Sequence, residues 1–154
     1  AVLGDAEAKK RLDLNRKLLA RDDVDYISLK VSAVTGPHNP WGFEEVVDHA
    51  LEQLLPFYLE AAAAPSGKFI NLDMEAYKDL ELTLTVFMRL LDNPALQDYR
   101  AGIVIQAYQP DALGAMMRLQ EWAAARPDVA RPQRPPSAPA APRPRRTAAA
   151  RRSR

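Results

Sequence analysis

Helical and strand-forming segments alternate along most of this 154-residue chain. Four segments repeat apolar residues with a helical period, which predicts helices near residues 5–21, 43–64, 77–92 and 110–126. Between them lie runs rich in strand-forming residues, which predict strands near 24–31, 69–73 and 102–107. Because a helix separates each strand from the next, the strands must be parallel and joined by right-handed crossovers. An antiparallel sandwich is therefore excluded.

Each predicted helix has one apolar face for a core. The residues of these faces are Ala8, Leu12, Asn15 and Leu19; Val47, Leu51, Leu54, Tyr58 and Ala61; Leu80, Leu84, Phe87 and Leu91; and Ala112, Met116, Leu119 and Ala123. Pro56 falls inside the second helix and is expected to kink it, because proline removes the N–H that would bond the carbonyl of Glu52. Residues 32–42, SAVTGPHNPWG, contain two Pro and two Gly and are expected to be irregular.

The two faces of each predicted strand differ in polarity. Successive side chains point to opposite faces, so Ile27 and Leu29 oppose Ser28 and Lys30 in the first strand. A doubly wound open sheet tends to have continuous aliphatic strands, whereas a barrel has a lumen that becomes polar near its mouth. The pattern favours a barrel over an open sheet. Since a closed (βα)8 barrel takes about 250 residues, we expect an α/β fragment, a partial (βα)8 TIM-type barrel.

Lys30, Asp73 and Gln106 each lie at or next to the carboxyl end of a predicted strand. The alternation places them on one face, and the carboxyl ends of parallel strands meet at one edge, where α/β folds have their sites. Two interpretations are open from spacing alone. In the first, Lys30 and Asp73 form an ion pair with only a structural role. In the second, the three side chains form a binding site. In such a site the Lys30 ammonium binds a carboxylate of the ligand, the Asp73 carboxylate fixes the protonation state of its partner, and the Gln106 amide hydrogen-bonds a ring of the ligand.

The sequence around these three residues resembles a known enzyme family. The segments concerned are YISLKVSA (26–33), FINLDMEAYKDLELTLTVF (69–87) and GIVIQAYQPDALGAMMRLQEWA (102–123). They are similar to the second, third and fourth βα units of FAD-dependent proline dehydrogenase, especially the domain found in bifunctional proline utilization A proteins. The resemblance covers about residues 5–126, and we assign a partial barrel domain to residues 1–126.

The resemblance implies an activity and a role for each of the three residues. In that family a (βα)8 barrel binds FAD and oxidises L-proline to Δ1-pyrroline-5-carboxylate, and electrons then pass to a quinone at the membrane surface. It implies that Lys30 meets the proline carboxylate, that Asp73 lies beside substrate and flavin, and that Gln106 hydrogen-bonds the isoalloxazine. A fused or separate aldehyde dehydrogenase domain is an expected partner.

The family pattern extends beyond the part that this chain resembles. Similar proteins have an earlier barrel strand, then, after the fourth helix, a strand with an Arg and a Lys for FAD. Later they supply a pair of Arg residues that bind the substrate carboxylate. The resemblance here stops near Arg126, so the fragment alone is expected to bind FAD poorly and to be inactive.

Residues 127–154 differ in composition from the rest of the chain. They hold eight Arg, seven Pro and seven Ala, whereas residues 1–126 carry 13 basic and 19 acidic residues, a net charge of −6. Such a segment buries too little apolar surface to order itself, so we expect a disordered tail. It is a solvated tail, an out-of-frame translation, or an arm for nucleic acid; the last is disfavoured because no aromatic side chain is there to stack on a base. The alternative to an enzyme is thus a non-catalytic α/β segment with a basic arm.

The residue types that are scarce or missing in this chain exclude further classes of protein and of binding site. The chain has no Cys and two His, so neither a disulfide framework nor a metal site is expected. No apolar run approaches the ~20 residues that span a bilayer, and we expect a cytoplasmic protein, in full length peripheral to the inner face of the membrane. Among other candidates, His49 is expected to be solvated, and Met116, Met117 and Trp122 to make core or edge contacts. Glu75, two residues after Asp73, could form a two-carboxylate pair with it, but Glu75 lies in the loop after the strand, and the family resemblance implies no acid–base role for it.

Overall fold

The residues described, 2–35, 42–65 and 67–126 of a computed structural model, form helices and strands in the predicted alternation. The strands are β1 (Tyr26–Lys30), β2 (Phe69–Asp73) and β3 (Ala101–Val104). The α-helices are α1 (Val2–Leu19), α2 (Ser32–Thr35), α3 (Phe43–Ala63), α4 (Leu80–Leu91) and α5 (Ala112–Ala125). Short 3₁₀ helices occupy Tyr77–Asp79 and Pro94–Leu96. The predicted tail, 127–154, lies outside the described residues.

The three strands form one parallel sheet in the order β1-β2-β3. Tyr26 is the register partner of Phe69, and Lys30 that of Asp73, so β1 and β2 align from end to end. The parallel α/β prediction is therefore confirmed. The third strand was expected over 102–107, but β3 ends at Val104, which pairs with Asp73. Because β2 itself ends at Asp73, the ladder offers residues 105–107 no partner on that side.

The main hydrophobic core lies between one face of the sheet and the helices α3 and α4. Ile27, Leu29, Ile70 and Leu72 enter it from the strands. The predicted face of α3 lies in this core, whereas of the predicted α4 face Phe87 and Leu91 lie here and Leu80 and Leu84 are buried in a second, smaller cluster with Met74 and Ala115. Fully buried side chains of the main core include some that the spacing did not predict, namely Phe57, Val86 and Leu90. Each fully buried aliphatic or aromatic side chain stabilises the fold by roughly 1.5–3 kcal/mol. This burial fixes which face of the sheet is left for a site.

The first residues after β1 are helical, which corrects the expectation of an irregular segment. Residues Ser32–Thr35 form α2, and the N–H groups of Val34 and Thr35 donate to the carbonyl of Val31 at 3.0 and 3.1 Å. Val34 is buried in the main core, which holds this turn against the sheet. The glycines and prolines that motivated the expectation begin only at Gly36.

The inward face of helix α5 agrees only in part with the predicted one, since Ala112 and Leu119 belong to both. Its inward residues are Ala112, Ala115, Leu119 and Trp122. Met116 and Ala123, expected on that face, are exposed. Apolar residues surround much of this helix, so spacing alone allows either stripe. Packing decides between them, because the Trp122 ring meets Phe87 of α4 edge-on at a centroid distance of 5.9 Å.

The longest helix, α3, continues through Pro56. Both Pro56 and Glu52 are exposed, so the carbonyl that loses its N–H partner lies on the side of the helix that water reaches. The kink expected there remains a prediction. Neither α3 nor any other helix in the described part of the chain has the length and apolar character needed to cross a membrane.

Candidate active site at the strand ends

The face of the sheet opposite the core carries the polar side chains. In β1 the buried residues alternate with exposed ones, so Tyr26, Ser28 and Lys30 lie on this outer face. In β2 the register sets Asn71 beside Ser28 and Asp73 beside Lys30. The alternation therefore brings Lys30 and Asp73 to the same face and the same edge, as their spacing predicts.

An aromatic pair covers the opposite end of this face. The rings of Tyr26 and Phe69 stack at a centroid distance of 5.7 Å and an interplanar angle of 14°. Gly102 of β3 lies beside them, where a Cβ would stand 2.9 Å from Cζ of Phe69 and 2.5 Å from Oδ1 of Asn71. The missing side chain at Gly102 thus lets Phe69 and Asn71 lie over β3.

The carboxylate of Asp73 is held by two neighbours on the same face. Its Oδ2 accepts a hydrogen bond of 2.5 Å from Oγ of Ser28, and its Oδ1 accepts one of 2.5 Å from Nδ2 of Asn71. Asn71 is buried, so this amide has little freedom to turn away. The two contacts fix the orientation of the carboxylate from both sides, a role for Ser28 and Asn71 that sequence reasoning missed.

The ammonium of Lys30 bonds to Glu75. Its Nζ donates to Oε1 of Glu75 at 2.7 Å, while Oε2 of Glu75 accepts a hydrogen bond of 2.6 Å from Oγ of Ser32. The hydrogen bonds from Lys30 and then from Ser32 hold the pKa of Glu75 below its ordinary value, with a smaller Coulombic contribution from Arg11. Lys30 and Asp73 therefore do not form the ion pair that their spacing allowed. Lys30 is in one hydrogen-bond network with Glu75 and Ser32, and Asp73 is in another with Ser28 and Asn71.

Gln106 lies two residues beyond the end of β3 rather than on the strand. Its Nε2 donates to the carbonyl oxygens of Met74 at 3.4 Å and Glu75 at 3.1 Å, and its Oε1 accepts from Nε2 of Gln109. Gln106 therefore ties the segment after β3 to the segment that carries Glu75. The Oε1 of Gln109 is buried and has no hydrogen-bond partner among the described residues.

Other sequence candidates lie away from this edge. His49 is exposed on α3, as expected. Trp122 packs against the core, and its Nε1 donates to Oδ1 of Asp92 at 2.8 Å, whereas Met116 and Met117 are exposed. Within the described ranges no group of three or more His, Asp or Glu side chains could hold a metal ion.

The comparison with family models decides the family. The model of proline dehydrogenase matches residues 1–132, most of the chain. The chain belongs to the proline dehydrogenase family. The resemblance of the three strand segments to this family is thereby confirmed, and the match takes in all the elements from α1 to α5.

Two solved structures of proline utilization A proteins have the same local fold. The protein from Corynebacterium freiburgense is 42% identical with a TM-score of 0.78, over 82% of this chain and 13% of that protein. The protein from Bdellovibrio bacteriovorus, inactivated by N-propargylglycine, is 27% identical with a TM-score of 0.67, over 80% of this chain and 15% of its own. The chain thus spans about a seventh of either protein. None of the curated proteins matches this chain.

Proposed function

We propose that residues 2–126 form part of the catalytic domain of an FAD-dependent proline dehydrogenase, which oxidises L-proline to Δ1-pyrroline-5-carboxylate. The observation that carries the proposal is the meeting of Lys30, Asp73 and Gln106 at one edge of the sheet, in a chain of this family. In the same proposal the three parallel strands are part of a (βα)8 barrel, with the aliphatic face toward the helices and the polar face toward the lumen.

Lys30 is proposed to bind the substrate carboxylate. The ammonium carries three N–H donors, and among the described residues one of them is directed at Glu75, which leaves two for a carboxylate. The side chain extends from the last residue of β1 and is half-exposed, which lets a small acid reach it. A charge-assisted hydrogen bond of this kind contributes about 1.5–3 kcal/mol to binding.

Asp73 is proposed to fix the charge next to the reacting ring. Ser28 and Asn71 each direct a donor at one of its oxygens, so the carboxylate enters the reaction already oriented. A negative charge held there favours the positive charge that develops on the proline ring as it is oxidised. Its contribution should fall on turnover more than on substrate binding.

The amides of Gln106 and Gln109 fit the edge of a flavin ring. The Oε1 of Gln109 is buried without a hydrogen-bond partner among the described residues, while the Nε2 of the same side chain donates to Oε1 of Gln106. Such a pair suits a ring edge that carries both N–H and carbonyl groups. FAD, when bound, supplies the two-electron acceptor for the oxidation. The quinone acceptor, a location at the inner face of the membrane and an aldehyde dehydrogenase partner are part of the proposal and are supported by the family alone.

A chimera tests the activity. Residues 2–126 of this chain replace the matching segment of the Corynebacterium freiburgense protein, to which they are 42% identical. We expect the chimera to contain FAD and to be reduced by L-proline, measured as bleaching of the flavin absorbance under anaerobic conditions. A chimera that contains FAD but is not reduced by proline, while the parent protein is, would show that this segment does not carry the proposed chemistry.

Two substitutions in the chimera separate the proposed roles. Lys30→Ala should raise KM for proline about 10- to 150-fold with normal FAD content, the range expected for one charge-assisted hydrogen bond. Asp73→Ala should mainly lower kcat. If Lys30→Ala leaves KM within twofold of the parent chimera, Lys30 has only a structural role and the assignment of the carboxylate site is wrong.

A further inference from the structure

We propose that Glu75 is a positioning residue that, together with Ser32, holds the Lys30 ammonium in place for the substrate carboxylate. The inference rests on the proposed function, since it concerns the same site. Its basis is one continuous arrangement: Nζ of Lys30 donates to Oε1 of Glu75 at 2.7 Å, and Oγ of Ser32 donates to Oε2 at 2.6 Å. Both oxygens of the carboxylate are thus engaged, one by the last residue of β1 and the other by the first residue of α2.

A lysine at this place needs a second group to fix it. Its ammonium ends a flexible four-carbon chain, and the Lys30 side chain is 49% exposed, so the core does not restrict its rotamers. Binding a ligand through such a side chain costs conformational entropy unless the bound rotamer is already occupied. Glu75 supplies that restriction before the substrate arrives.

Glu75 is itself anchored on two sides. Its carboxylate reaches across to Lys30 and Ser32 of the neighbouring β1 end, and its backbone carbonyl accepts a hydrogen bond of 3.1 Å from Nε2 of Gln106. The loop after β2 is therefore tied to the segments that follow both β1 and β3. A carboxylate fixed in this way can define a position for the ammonium rather than follow it.

Stability does not account for this arrangement. Exposed ion pairs contribute little to folding, and Lys30–Glu75 is exposed by 49% and 48%. The pair Arg118–Glu81 has a similar length, 2.8 Å, and similar exposure, 50% and 58%, but joins helices α5 and α4 and includes none of the proposed site residues. It therefore serves as a matched control for the loss of an exposed ion pair.

The direction in which KM changes in Glu75→Gln distinguishes a positioning role of Glu75 from a purely Coulombic one. As an anion near a bound carboxylate, Glu75 repels the substrate, so neutralising it should lower KM if only Coulombic forces act. If Glu75 positions Lys30, the same change should raise KM. Glu75→Gln is nearly isosteric and lies on the surface, which makes it a mild substitution for the fold.

The experiment measures steady-state kinetics with L-proline in the FAD-containing chimera. We expect Glu75→Gln to raise KM about 3- to 10-fold, the range for the ordering of one long side chain, with kcat within twofold. Ser32→Ala, which leaves every charge in place, should raise KM about 2-fold or more. Glu81→Gln should change neither parameter. A KM that is unchanged or lower in Glu75→Gln would overturn the inference, and an unchanged KM in Ser32→Ala would contradict the part assigned to Ser32.

A double substitution tests whether Glu75 acts through Lys30. In the Lys30→Ala background, Glu75→Gln should no longer raise KM, because there is no ammonium to position. An equal increase in both backgrounds would show a role independent of Lys30 and contradict the inference. The proposed function fails separately, if the FAD-containing chimera is not reduced by L-proline. A raised KM in Lys30→Ala with no increase in Glu75→Gln would remove only the inference.

Discussion

Gly102→Ala should destabilise the fold even though it replaces glycine in a strand, where alanine normally gains stability. The new Cβ would lie 2.5 Å from Oδ1 of Asn71 and 2.9 Å and 3.0 Å from two carbon atoms of the Phe69 ring. Optimal contacts between carbon atoms are about 3.5–4.0 Å, so both neighbours must move. The Phe69 ring is stacked on Tyr26, and Asn71 is buried and bonded to Asp73, so neither can move without losing a contact.

The magnitude follows from two opposing terms. Overpacking a filled site costs about 1–3 kcal/mol. Alanine restricts the unfolded chain more than glycine does, and this stabilises the folded state by about 0.4–1 kcal/mol. We therefore expect a net loss of about 1–2 kcal/mol, rising further if Asn71 gives up its bond to the Asp73 carboxylate, which is worth about 1.5–3 kcal/mol.

Urea denaturation of the 154-residue chain, followed by far-ultraviolet circular dichroism, measures the change. Gly114→Ala is the matched control, because Gly114 lies in α5 with nothing within 4 Å of its Cβ position. That substitution should stabilise the chain by about 0.5–1 kcal/mol. In an Asn71→Ala background the cost of Gly102→Ala should shrink, since the nearest contact is gone. A Gly102→Ala chain as stable as the parent would refute the reasoning.

Two further predictions concern stability. Arg126→Ala should cost about 2–3 kcal/mol in the same assay, because this guanidinium donates to the carbonyl oxygens of Leu91, Leu96 and Gln97 and lies 4.9 Å from the Trp122 ring centre; Arg100→Ala, at an exposed position, should cost almost nothing. The second prediction concerns Glu75, whose pKa in the folded chain lies below its ordinary value of 4.5. Its ionised carboxylate therefore contributes fully to the free energy of unfolding above pH 4.5, and this contribution is lost as the pH falls through the folded pKa. The stability difference between the parent chain and Glu75→Gln is expected to be small, because the pair is exposed, and to disappear in acid. A difference that persists to low pH would contradict this account.

The sequence predicts the side-chain directions at the ends of β1 and β2 well, because side chains alternate between the two faces of a strand. Lys30 and Asp73 could be placed on one face and one edge from their spacing, and they are register partners in the sheet. The partner of Lys30 was not predicted, because the backbone after Asp73 leaves the strand and alternation no longer applies with certainty. A signal was nevertheless present, since Ser32 and Glu75, both able to form hydrogen bonds, lie only two positions after Lys30 and Asp73 in the sequence.

The remaining errors come from contacts that a single segment does not encode. The end of β3 depends on where β2 stops, since a strand continues only while it has a ladder partner. The inward face of α5 depends on the contact between Trp122 and Phe87, because apolar residues are available on several sides of that helix. In both cases the local pattern allowed two solutions, and a distant part of the chain selected one.

The position of β2 in the sheet has a consequence for the order in which the chain folds. Among the strands described, β2 is the one that pairs on both sides, and its partners lie 43 residues earlier and 31 residues later in the chain. During synthesis at about 5–20 residues per second, roughly 2–6 s separate the completion of a β2 residue from that of its β3 partner. For that time β2 presents an open hydrogen-bonding edge beside apolar side chains. During this interval the edge of β2 is available for pairing with another chain, until Ala101–Val104 is synthesised and pairs with it.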